Sequence, residues 1–152
     1  MSDIARLGKL INQLLATEAR SIVHHLDGAD APPYLTVKTY PIWRSLHHMV
    51  AVSRDHQERL RMMLGQIDQV AVVPTFDSPV AGFHYLSMDH LLPKFIEEKA
   101  GQIAVYQEAL TIVTTELQHE MDTLHGENQL HLDDLNRFLD RLPKEQAATY
   151  TP

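Results

Sequence analysis

Residues 42–67, IWRSLHHMVAVSRDHQERLRMMLGQI, and residues 117–142, LQHEMDTLHGENQLHLDDLNRFLDRL, carry one pattern twice. In the first, Ile42, Leu46, Met49, Ser53, His56, Leu60, Met63 and Ile67 recur at alternating steps of four and three. In the second, Leu117, Met121, Leu124, Asn128, His131, Leu135, Phe138 and Leu142 do the same. Steps of four and three keep side chains on one face of a helix. The seams match position for position, 75 residues apart (42 against 117), and each is broken at mid-length by a polar residue followed three later by His. Residues three apart share a helix face, so each polar pair points to one place.

Proline spacing extends this reading to the whole chain. Pro32, Pro33, Pro41, Pro74, Pro79, Pro93, Pro143 and Pro152 leave 1–31, 42–73 and 94–142 uninterrupted, and these stretches are rich in helix formers. The spacing predicts a helix from about Asp3 to Leu26 closed by Asp27-Gly28, a second from Pro41 to about Gly65 or Gln66, a third over 89–113 and a fourth over 116–142. Thr115 and Gln118 have capping-box spacing at the last turn, and Pro143 is the expected stop. QVAVVPTFDSPVAGFHYLS, 69–87, reads as a long crossover between the second and third helices. One long and one short connection predict an all-α, ferritin-like four-helix bundle over 1–143, with a disordered tail over 144–152 that ends in AATYTP.

The other two helices carry comparable seams. The first runs through Ile4, Gly8, Ile11, Leu15, Glu18, Ile22 and His25, and the third through Leu92, Ile96, Lys99, Ile103, Tyr106, Leu110 and Val113, with Glu98 and Glu97 beside the lysine. The bundle centre is thus predicted to hold Glu18, Ser53, His56, Lys99 or Glu98, Asn128 and His131. Burying so many polar groups costs several kcal/mol unless they satisfy one another or hold a metal.

Composition narrows the functions on offer. The chain has 152 residues, no Cys and a net charge of −7, which excludes disulfides and thiolate chemistry and leaves no basic block for nucleic acid. No apolar run has the length of a membrane span and the N-terminus has no signal-peptide pattern, so a cytoplasmic protein with no membrane partner is expected. Six glycines, no phosphate loop and no dinucleotide fingerprint argue against nucleotide as a cofactor. Tyr106 in its seam reads as core packing.

LGKLINQLLATEARSI (7–22), SRDHQERLRMMLGQIDQVAVVPTF (53–76) and ENQLHLDDLNRFL (127–139) resemble the first, second and fourth helices of bacterioferritins and their relatives. That resemblance implies a centre for two iron or manganese ions, built from one Glu on each of two helices and a Glu-x-x-His pair on each of the others. It matches Glu18, His56 and His131 to ligands. Ser53 and Asn128 stand where the two bridging glutamates belong, Lys99 occupies the third helix's seam, and Arg54 stands where a haem-ligating methionine would be, so no haem is expected. What remains is a degenerate centre holding either a single iron, manganese or zinc ion or none, with Glu98 or Glu127 as the further carboxylate. Any activity implied is weak ferroxidase or peroxide chemistry.

Two alternatives stay open. SLHHMVAVSRDHQERL (45–60) and HGENQLHLDDLNRFL (125–139) are somewhat similar to DinB-like metal-binding bundles, although Glu127-x3-His131 replaces the His-x3-His of their last helix. The other is a helical scaffold without chemistry, for which a homo-oligomer is expected.

Overall fold

A computed structural model describes residues 2–28, 33–72 and 86–149, side chains at 25, 27, 28 and 143–149 excepted. Among the described residues five helices are formed: α1 (Asp3–Ala19), α2 (Ile22–Gly28), α3 (Tyr40–Gln66), α4 (Met88–Leu110) and α5 (Thr115–Thr149). Helix α1 packs on α3 and α4, α4 on α5, and α5 closes the ring on α3, the most thinly packed side. Arg6 meets Glu108 while Ile22 meets Glu98, and His56 meets Glu127 while Arg59 meets Glu120, so these neighbours run antiparallel. The result is the all-α, ferritin-like four-helix bundle predicted from the seams.

Local chemistry explains the boundaries. Pro41 sits in the first turn of α3, where its missing N–H costs nothing. Past the end of α3, Asp68 takes the left-handed conformation (φ 56°) and the Gln69 amide bonds back to the Leu64 carbonyl. The chain then crosses α1 at Gly8, where a Cβ would lie 2.7 Å from Cγ of Gln69. Asn12 secures the crossing, donating to the Val70 carbonyl (2.9 Å) and accepting from the Val72 amide (2.8 Å). The other end of the connection is tied by the Tyr34 amide to the Leu86 carbonyl (3.0 Å). The expected crossover lies mostly at 73–85, outside the described residues.

Two boundaries differ from expectation. The first helix does not run unbroken to Leu26: it stops at Ala19 and restarts at Ile22. Ser21 caps the restart by accepting the His24 amide (3.1 Å), and the Glu98 carboxylate from α4 takes the Ile22 amide (3.0 and 3.2 Å). Nor does Pro143 stop the last helix, which continues to Thr149. A proline clashes with the turn before it, whereas the residues after it, Lys, Glu, Gln and Ala, are good helix formers. The expected disordered tail falls on this last stretch, where the backbone is helical as far as Thr149 and 150–152 lie outside the described residues.

The core is two apolar clusters. One joins Leu7, Ile11, Leu14 and Leu15 of α1 to Leu60, Met63, Tyr106, Met121 and Leu124. The other joins Ile22, Leu26, Ile42 and Leu46 to Leu91, Phe95, Leu135 and Leu142. Each such buried side chain is worth about 1.5–3 kcal/mol. Between the clusters, at the height of Glu18, Ser53, Lys99 and Asn128, lies a polar layer to which all four long helices contribute. Among the described residues, no helix is long and apolar enough to cross a membrane.

Candidate functional site

Glu18 is the hub of the polar layer. It is 1% exposed, and its carboxylate accepts four hydrogen bonds: Ser53 hydroxyl (2.5 Å), His56 Nδ1 (3.0 Å), Tyr106 hydroxyl (3.1 Å) and Asn128 Nδ2 (3.3 Å). Burial alone pushes this carboxyl up. The hydrogen bond from His56, the charges of Lys99 and His56, and the Ser53 hydroxyl win, holding it at about 2.

His56 is fully buried and spends both ring nitrogens on carboxylates. Nδ1 donates to Glu18, and Nε2 donates to Glu127 Oε2 at 2.5 Å. Burial disfavours the imidazolium, but the bonds and charges of Glu18 and Glu127 outweigh it and raise the ring's proton affinity. Glu127 is half-exposed and continues to the surface through Arg59, which lies 3.6 Å from it and 2.6 Å from Glu120.

The α4 side supplies a second cation. Lys99 Nζ donates to Asn128 Oδ1 and to Gln102 Oε1, each at 2.8 Å, and Gln102 passes the chain on to Thr17 (3.2 Å). Burial lowers the lysine's proton affinity while Glu18 and Glu98 partly restore it. Asn128 thus bridges Lys99 to Glu18, its Nδ2 donating also to the Leu124 carbonyl (2.9 Å).

Of the five candidate ligands, Glu18, His56 and Glu127 form one continuous row, His131 stands at its flank and Glu98 is elsewhere. The His131 ring stacks on that of His56 with centroids 6.3 Å apart, and makes no hydrogen bond among the described residues. Burial, then the charges of Lys99 and His56, push it down to about 4, against Glu18 and Asp134, so at neutral pH it is an uncharged imidazole. Glu98 caps α2; burial raises it to about 7 despite the Ile22 amide and Lys99. Of the two neighbours it is therefore Lys99, in the seam register, and not Glu98 that enters the centre.

Three participants were not read as functional from the sequence. Tyr106 does pack in the core, and its hydroxyl also binds Glu18; Gln102 lies on the same α4 face, three after Lys99 and four before Tyr106. Arg59 lies three after His56, which places it beside Glu127.

Such a row is a poor nest for two metal ions. A dinuclear centre needs several anionic oxygens and imidazoles with a lone pair to give. Here both nitrogens of His56 are committed as donors, the bridging positions are the neutral Ser53 and Asn128, and an ammonium lies in the layer. Among the described residues no group of three or more His, Asp or Glu is arranged to hold a metal.

No family model and no curated protein matches the chain. A search of solved structures finds a similar one, a crystal structure titled as ferritin like, diiron-carboxylate proteins from Bacillus anthracis str. Ames. It matches with a TM-score of 0.76 and 15% identity over 91% of this chain and 99% of that one, a likeness of fold.

Proposed function

We propose that this ferritin-like bundle serves as a binding module, and that organic charges stand in its centre where a di-metal site would be. Two carboxylates, Glu18 and Glu127, face the His56 imidazolium between them, with the Lys99 ammonium on one side and the Arg59 guanidinium on the other, so no negative charge is left over for a metal ion. The observation that carries this reading is the double engagement of His56: each ring nitrogen lies within 3.0 Å of a carboxylate oxygen, a gap that a proton on that nitrogen bridges. A metal ion would have to take that proton's place and bring further positive charge beside Lys99. Its hydrogen bonds fix the register of α1, α3 and α5 at the height where the apolar clusters meet.

Elemental mass spectrometry of untagged protein tests it, on wild type and on a His56→Ala, His131→Ala double variant. Only trace iron, manganese and zinc, equal in both, is the expected result. Near-stoichiometric metal in wild type that the double variant loses would overturn the proposal in favour of a single-ion centre on Glu18, His56 and Glu127.

A further inference from the structure

The thinly packed side of the bundle opens as a groove of about 640 Å³ between the first half of α3 and the second half of α5. Its volume is in the range of small-molecule sites, which span about 300–1,000 Å³. From Pro41 to Val52 along α3 the groove is about 16 Å long at 1.5 Å per residue. Met49, Val52 and Phe138 give it apolar walls, and Arg44 and His48 bring hydrogen-bond donors to its α3 edge, beside Ser45, whose hydroxyl donates to the Pro41 carbonyl.

Charge decides what fits this edge. Arg44 makes no ion pair among the described residues, although the chain as a whole is acidic. Asp134, the carboxylate lining the groove, is already paired with Arg137. The unanswered charge in the groove is therefore positive, and the apolar wall beside it calls for a hydrocarbon body on the anion. One guanidinium with an imidazole nearby suits a single carboxylate, which an arginine binds in bidentate fashion.

We infer that the groove binds a small amphipathic carboxylate, its head on Arg44 and His48 and its hydrocarbon chain along Met49 and Val52 towards His131. This site is separate from the polar layer, and its occupancy does not depend on whether the centre holds a metal. His131 lines the inner end of the groove and stacks on His56, which places a reporter where the two regions meet.

Octanoate is the probe, titrated below its self-association limit into ¹⁵N-labelled full-length protein and followed by NMR. The expected result is saturable binding that shifts the amides of residues 44–52 and 131–138. Arg44→Glu, at an exposed position, is expected to weaken it at least tenfold, and Val52→Trp, which fills the inner end, to do likewise, with both variants keeping the wild-type far-UV spectrum. Inorganic phosphate and octylamine are expected to leave these amides unmoved. No saturable shift with octanoate, shifts mapping elsewhere, equal binding by Arg44→Glu, or equal shifts with octylamine or phosphate would each overturn the proposal.

Discussion

His56 and His131 occupy matching places in two matching seams, yet the bundle treats them as opposites. The first is fully buried and lies between two carboxylates, which keep it charged. The second is half-exposed at the edge of a groove, without a carboxylate on either nitrogen, and is kept neutral by burial and by the two cations nearby. The difference lies in their partners: Glu18 and Glu127 converge on α3, and no equivalent pair flanks α5. A repeat in sequence thus fixes where a side chain points while its neighbours on other helices decide its charge.

The strongest test of this contrast removes each ring. His56→Leu leaves Glu18 buried and short of its cation, so a loss of about 3–5 kcal/mol in urea-unfolding stability is expected. His131→Leu is expected to cost about 1 kcal/mol or less, since no hydrogen bond is lost. Equal losses would dissolve the distinction.

A double-mutant cycle between Glu18→Gln and Lys99→Met sharpens it by asking how far the second cation shares Glu18 with His56. The two are joined through Asn128, and a coupling of about 1–3 kcal/mol is expected in denaturation midpoints. No coupling would leave His56 as the sole counter-charge.

Acid separates the rings next. His131, held at about 4 from an ordinary 6.5, contributes stability that is complete above pH 6.5 and is lost as pH falls towards 4. His56, with its affinity raised, contributes below pH 6.5 and loses as pH climbs through its elevated value. Glu98 works against His131: raised from 4.5 to about 7, it favours folding more as pH falls from 7 to 4.5. Wild-type stability should therefore be nearly flat from pH 7 to 5. In His131→Asn it should rise towards acid by about 1–2 kcal/mol, because Glu98 is partly screened by solvent. Thermal unfolding across that range measures it, and an unchanged slope would refute the neutral ring. The smallest effect is expected for Arg59→Ala, under about 1 kcal/mol by urea unfolding, because its ion pairs with Glu120 and Glu127 are partly solvated.

Periodicity revealed the scaffold because it is a local property that tertiary packing reinforced. Ile42, Leu46, Ser53, His56, Leu60 and Met63 are buried as their spacing requires, and so are Leu117, Met121, Leu124, Asn128, Leu135 and Leu142. The polar layer was readable too, down to Glu18, Ser53, His56 and Asn128. Its wiring was not. Whether Lys99 or Glu98 enters the centre depends on a one-residue rotation of α4, settled when Glu98 found the Ile22 amide on another helix. Glu18 and Lys99, both placed at the centre by their seams, are joined through Asn128, whose amide satisfies the anion and the cation at once. The break after Ala19 did leave a trace, Ser21 in a capping position, but a serine inside an apolar periodicity is a weak signal without its tertiary partner.

That partner has a consequence for motion. A helix of seven residues does not persist in water alone, because too few bonds follow its costly first turn. Helix α2 is anchored at its first amide by a carboxylate from α4, so it has no independent opening of its own. In hydrogen exchange, the Ile22 amide should be released on the timescale on which α4 detaches from the bundle, and Glu98→Ala should turn that slow, collective exchange into rapid local fraying.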